Sequence, residues 1–271
     1  PVNTRFPTAF ILLALGCGQK GIEPTEVTAT PPAVEPFIEP TPTIAQKELF
    51  FDQDSLDHRK IETAINLILR EKKHSGQSQL PGMRTIPRRA WPKLKNEDVL
   101  QLTELDVGGK GISDISPLSE LRQLKSLFLA ENQITDLSPL AGHTQLLSLT
   151  LDGNEQLRDL APLTKMENLR LLYLDRNHVA DLSPLSGLTK LKYLYLRDNQ
   201  VGNLKPLGKL EHLVMLDIGG NKITDLIPLM NLSKLKHLSV DDSPYLPQEE
   251  IDKLQRALPE CEISYKAAEQ P

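Results

Sequence analysis

Leucines recur along the middle of the chain with a fixed spacing. Shifted by 22 residues, LRQLKSLFLAENQITDLSPLAG (121–142) falls on MENLRLLYLDRNHVADLSPLSG (166–187), LTKLKYLYLRDNQVGNLKPLGK (188–209) and LEHLVMLDIGGNKITDLIPLMN (210–231). Residues 143–165 form the same unit with one residue added near Glu155, a first copy spans about 99–120, and a truncated last one begins at Leu232. Inside each unit, apolar and variable positions alternate, as in YLYLRDN (193–199). A period of two is the signature of a strand with one face buried. The leucines that recur in every copy must be that face: Leu127 and Leu129, Leu149 and Leu151, Leu172 and Leu174, Leu194 and Leu196, Leu216 and Ile218.

Two other positions recur. Asn132, Asn154, Asn177, Asn199 and Asn221 follow the strand, where an amide can satisfy backbone groups that a turn leaves unpaired; Lys110 and Ser243 hold that place at the ends. The Ser-Pro of DLSPL predicts a helical turn capped by Ser, starting near Pro117, Pro139, Pro162, Pro184, Pro206 and Pro228. Where Ala161, Lys205 and Ile227 replace Ser, the turn is expected to be weaker. No unit can bury its own leucines, so neighbours must stack and both ends must be capped.

The match to L-x-x-L-x-L-x-x-N identifies these units as leucine-rich repeats, and their I-x-D-L-S-P-L half resembles the bacterial internalin type. The resemblance spans about residues 50–243. It implies an α/β solenoid, with a curved parallel sheet on the concave face and short 3-10 turns on the convex face. It also implies a helical N-terminal cap and a role in surface attachment or recognition. Ile61, Ile65, Ile68 and Leu69 lie at helical spacing after a candidate N-cap, Ser55, and fit that cap. The stretch from His74 to Lys95 is longer than such a cap usually allows. With its approach, it carries Arg70, Lys72, Lys73, Arg84, Arg88, Arg89, Lys93 and Lys95 around Trp91. It reads as a solvated loop, with contact to anionic lipid or polysaccharide as the alternative. After the repeats, PQEEIDKLQRALPECEISY predicts a helix with Ile251, Leu254 and Leu258 on one face, then a short final strand with Cys261 buried.

The first residues have a different organisation. Arg5, an apolar run from Ala9 to Leu15, and Gly16-Cys17 have the layout of a secretory signal. A cysteine after a small residue resembles a bacterial lipoprotein signal, which implies lipid attachment at Cys17. Ala14 and Leu15 depart from the usual order at the two preceding places. Six prolines between Pro24 and Pro42, among threonines and glutamates, predict an extended tether. The expected organisation is signal peptide and lipobox 1–17, tether 18–44, helical cap with basic insert 45–98, repeats 99–243, C-terminal cap 244–266 and tail 267–271. Localisation follows as an exported, membrane-anchored lipoprotein facing the periplasm or cell exterior.

Composition narrows the function. A net charge of −5 argues against nucleic acid as a partner, and two cysteines, Cys17 and Cys261, make no disulfide framework. Nothing resembles a phosphate loop, a metal motif or a nucleophile with its base, so no catalytic residue, metal ligand or cofactor is expected. What remains is the outward face of the strands. Phe128, Leu171, Tyr173, Tyr193, Tyr195 and Met215 form an apolar patch there, with Asp175, Arg197 and Asp217 around it. Aromatic and Met side chains inside a charged rim have the composition of a protein-binding hot spot. The expectation is a monomeric, non-enzymatic module that recognises a protein through this face. A polysaccharide ligand, or a structural envelope lipoprotein without external ligand, are the alternatives.

Overall fold

The computed structural model describes residues 57, 60, 61, 63–65 and 100–266. The signal and lipobox, the tether, the basic stretch with Trp91, Ser55, Ile68, Leu69 and the tail 267–271 lie outside the described residues. Eight three-residue strands, β1 (Glu104–Asp106), β2 (Ser126–Phe128), β3 (Ser148–Thr150), β4 (Leu171–Tyr173), β5 (Tyr193–Tyr195), β6 (Met215–Asp217), β7 (His237–Ser239) and β8 (Glu262–Ser264), form one sheet in chain order. All neighbours pair in parallel, and the register aligns Leu105, Leu127, Leu149, Leu172, Leu194, Leu216 and Leu238 in a single column. That column is buried throughout. Each leucine removed from water stabilises the stack by about 1.5–3 kcal/mol, and only the adjacent repeats make that burial possible.

The asparagine row does what its position predicts. In Asn132 the side-chain oxygen accepts the backbone N–H of Lys110 and Ile112, while Nδ2 donates to Val107, Leu129 and Ala130 carbonyls. Asn154, Asn199 and Asn221 likewise accept from Ile134, Val179 and Val201. Asn177 is the exception: its buried Oδ1 has no partner. The added residue in the preceding repeat is the cause. It turns the Leu157 N–H towards the Asn154 carbonyl at 2.8 Å, away from the place the ladder would require.

Capping of the convex turns differs from the expectation. The 3-10 turns begin at Ser116, Ser138, Ala161, Ser183, Lys205 and Ile227, and no residue at their N-caps makes a side-chain cap. The acceptor lies two residues upstream of each start. Asp114, Asp136, Asp159, Asp181, Asn203 and Asp225 take the N–H of the first turn residue at 2.7–3.0 Å. Because this Asx contact is independent of Ser, turn length does not follow Ser: Ile227–Leu229 has three residues, as do Ser138–Leu140 and Ser183–Leu185. Ala161–Lys165 and Lys205–Lys209 each run for five residues.

Both ends are closed by helices. Residues 57, 60, 61 and 63–65 are helical, with Ile61 and Ile65 fully buried on the first repeat. Asp57 Oδ2 accepts the N–H groups of Ser113 and Asp114 and the Ser113 hydroxyl, and Lys60 Nζ reaches the Gly111 carbonyl. Burial opposes the Asp57 charge, but these donors outweigh it and hold its pKa at about 2. At the other end α1 (Gln248–Ala257) buries Ile251 and Leu254, and β8 extends the sheet beside β7. Cys261 is buried there, and burial raises its thiol pKa to about 11.

Candidate functional site

The register places the outward side chains in rows. Glu104, Ser126, Ser148, Leu171, Tyr193, Met215 and His237 form the first, and Asp106, Phe128, Thr150, Tyr173, Tyr195, Asp217 and Ser239 the second. Two residues beyond each of these lies a third row: Gly108, Ala130, Asp152, Asp175, Arg197, Gly219 and Asp241. The nine residues expected to contact a partner therefore share one face, spread over β2 to β6 and the positions just beyond.

They are not equally accessible. Tyr173 and Tyr195 stack with ring centroids 4.3 Å apart and planes 8° apart, and the Tyr195 hydroxyl donates to Met215 Sδ at 2.8 Å. Tyr195 is consequently only 8% exposed, Leu171 5% and Asp217 9%. The expectation that all of these stand out from the sheet is corrected here. Short parallel strands bring large side chains so close that they cover one another. Phe128, Tyr173, Tyr193 and Met215 remain half-buried. Burial raises the phenol pKa of both Tyr173 and Tyr195, so both are neutral at physiological pH.

Beside the rings stands a line of carboxylates with an unusual environment. Asp152 Oδ1 accepts the Asp175 N–H at 2.9 Å, and Asp175 Oδ1 accepts the Arg197 N–H at 2.8 Å. Asp217 Oδ1 accepts the Gly219 N–H at 3.0 Å. Among the described residues none of the three makes an ion pair. Desolvation raises the Asp152 pKa to about 6; desolvation and the charges of Asp152 and Asp217 raise that of Asp175 to about 8. Asp217 is shifted up as well, first by burial.

The neighbouring arginines favour the charged forms of Asp152 and Asp217 at longer range, but their ion pairs lie elsewhere. Arg176 pairs with Glu131 across Gly153, and Arg197 with Asp242 across Gly219, each strap spanning two repeats. Gly153 has φ +66°, and a Cβ there would sit 2.9 Å from Glu131 Oε2. Glu131, Arg176, Asp198 and Asp242 adopt the same left-handed conformation in their own repeats. Both straps depend on geometry two repeats apart, which no local pattern reveals.

One outward residue of the face was not among those expected to contact a partner. Thr150 lies between Phe128 and Tyr173 in the second row, is 7% exposed, and its hydroxyl oxygen is buried without a hydrogen-bond partner. A small polar residue between two aromatic columns is the signal that could have found it. Among the described residues no group of three or more His, Cys, Asp or Glu is arranged to hold a metal ion, and no helix is long and apolar enough to cross a membrane.

Comparison with known proteins agrees with the repeat assignment. The family model for leucine-rich repeats in two copies matches residues 100–142, 122–165 and 167–209. No curated protein sequence matches the chain. Among solved structures, internalin C2 of Listeria monocytogenes is 28% identical, with 76% of this chain and 92% of that one covered and a TM-score of 0.56. A leucine-rich-repeat protein of Leptospira interrogans is 27% identical over 55% of this chain and 38% of its own, with a TM-score of 0.51. With the in-order parallel sheet and the convex 3-10 turns, these matches make the chain a leucine-rich-repeat solenoid similar to a Listeria internalin.

Proposed function

We propose that this protein is a non-enzymatic binding module of the bacterial envelope, and that it recognises a protein partner through the concave face. One observation carries the reading. The half-buried aromatic and Met patch around Tyr193 adjoins carboxylates that the fold desolvates without pairing. Unpaired, desolvated charge weakens a fold. Its presence beside an apolar patch fits a surface completed by a partner. Export and lipid attachment at Cys17 complete the proposal, supported by the signal-like start and the proline-rich segment after it.

Photo-crosslinking in the native cell tests both parts. Benzoylphenylalanine at Tyr193 should give a discrete protein adduct, and the same group at Thr164 on the convex side should not. Adducts of equal pattern from both positions, or none from Tyr193, would refute concave recognition. In the same cells Cys17→Ser should move the chain from the membrane to the soluble fraction; unchanged partitioning would remove the anchor.

A further inference from the structure

The sheet ends at β8 with its core incomplete. Ile263 and Tyr265 continue the two inward columns that hold Leu238 and Val240 in the preceding repeat. Leu238 and Val240 are 1% and 0% exposed, whereas Ile263 and Tyr265 are only half-buried. The C-terminal helix packs on the last convex turn, where Glu250 accepts the Leu226 N–H. Among the described residues no strand lies on the outer side of β8.

The backbone bonds show what that edge presents. The Ser264 and Lys266 carbonyls accept the Val240 and Asp242 N–H groups at 2.9 and 2.8 Å, and the Glu262 N–H donates to the Lys236 carbonyl at 2.8 Å. Residues 262, 264 and 266 therefore turn their main-chain groups towards β7. By the alternation of a strand, Ile263 and Tyr265 turn theirs away from it. Among the described residues these outward N–H and C=O groups have no hydrogen-bond partner. No proline interrupts residues 262–266, and neither inward side chain is charged. An edge without such protection is a template for another strand.

The sequence of this edge complements itself. Set antiparallel about Ser264, Ile263 meets the partner's Tyr265, and Glu262 meets the partner's Lys266. The backbone agrees with that register. Ile263 and Tyr265 are the residues that face outward, so each of these pairs can exchange both of its N–H···O bonds. A shift by one residue would oppose main-chain groups that point the wrong way. A shift by two would set Glu262 or Lys266 against the partner's Ser264 and lose the charge match. Lys266 makes no ion pair among the described residues, and Glu262 has His237 at 3.2 Å. Opposite charges and apolar side chains placed directly across two strands stabilise their pairing. We propose that β8 is a dimerisation edge, through which two copies of this chain pair antiparallel over residues 262–266 about a two-fold axis at Ser264. Such a dimer departs from the monomer expected from the sequence, and it does not depend on what the concave face binds.

Sedimentation velocity tests it on the full chain carrying Cys17→Ser, which leaves the buried Cys261 as the one remaining thiol. The interface is short and belongs to the weak class, so the sedimentation coefficient should rise towards that of a dimer between roughly 1 and 300 µM. In the same background Ser264→Cys should form a disulfide-linked dimer under mild oxidation. Opposed Cα atoms at such a non-hydrogen-bonded pair stand about 4.5 Å apart, within disulfide reach. Glu262→Cys should stay unlinked, because its own copy would lie about 14 Å away. Lys266→Glu should weaken the dimer about tenfold, and Glu262→Lys added to it should restore the dimer. A chain that stays monomeric throughout, equal disulfide yields from the two cysteines, or a dimer indifferent to Lys266→Glu would overturn the pairing. Dimerisation that appears only after residues 267–271 are removed would overturn it as well, by giving the edge to the chain's own tail.

Discussion

Neutralising Asp175 should stabilise the protein, and only above the acid range. Burial, then the charges of Asp152 and Asp217, push its carboxyl pKa from the ordinary 3.8 up to about 8. Between these values the native state holds more protons than the unfolded chain, so stability falls as pH rises through the window. At pH 7 the gap of about 3.2 pH units converts to roughly 4 kcal/mol at about 1.36 kcal/mol per unit. Solvent reaches the edge of the half-buried carboxylate, and the repulsion is shared with Asp152 and Asp217. The expected gain in Asp175→Asn is therefore about 1–2 kcal/mol. The substitution leaves the fold otherwise intact, because the amide oxygen can still accept the Arg197 N–H now held at 2.8 Å. In a chain of this size the gain corresponds to a Tm higher by about 3–6 °C. Thermal melts of both proteins at pH 4 and pH 7.5 measure it. The curves should converge at pH 4, where the native carboxyl is already protonated. A gain of equal size at both values, or a lower Tm at pH 7.5, would refute the desolvated-carboxylate account.

Two further predictions concern the scaffold. His143 is fully buried among the leucines of the convex turns, and burial depresses its pKa below 6.5. Stability should fall as pH drops below 6.5, where only the unfolded chain takes up the proton. His143→Leu should remove that loss, so a stability gap unchanged between pH 7.5 and 5.5 would contradict it. Gly153→Ala should cost about 1–2 kcal/mol through its left-handed conformation, read as a lower urea midpoint. Because Glu131 can swing aside, most of the loss should persist in a Glu131→Ala background; its disappearance there would make the clash, not the backbone, the cause.

The repeat pattern made the sheet legible to the residue. Once Leu194 and Leu196 were inward, Tyr193 and Tyr195 had to be outward, and the register agrees at every strand from β1 to β7. Covering was not legible. Whether an outward side chain is accessible depends on its neighbours in other repeats. Tyr195 lies under Tyr173 and Met215, and Thr150 is hidden between its neighbours although neither is inward. Capping was misread for a related reason. Ser next to Pro is a strong local signal, yet Asp159, Asn203 and Asp225 cap turns that contain no Ser at all. The aspartate two residues upstream was visible in the same repeat and carried the better mechanism.

What the lattice does not require is informative about function. The third outward row tolerates the smallest side chains, since Gly108, Ala130 and Gly219 occupy it in three repeats without breaking the ladder. Asp152 and Asp175 occupy the same row at a cost the fold would avoid with Ala or Asn. Each carboxylate accepts a backbone N–H from the next repeat, a contact that an amide could supply without charge. The hydrogen bonds therefore explain the side-chain length and not the ionisable group. An ionisable group kept where neither packing nor hydrogen bonding asks for it fits the proposal that a partner completes this face. Asp175→Asn consequently places stability and recognition in opposition: the substitution that raises the melt should weaken binding of any partner that enters this face through a basic side chain.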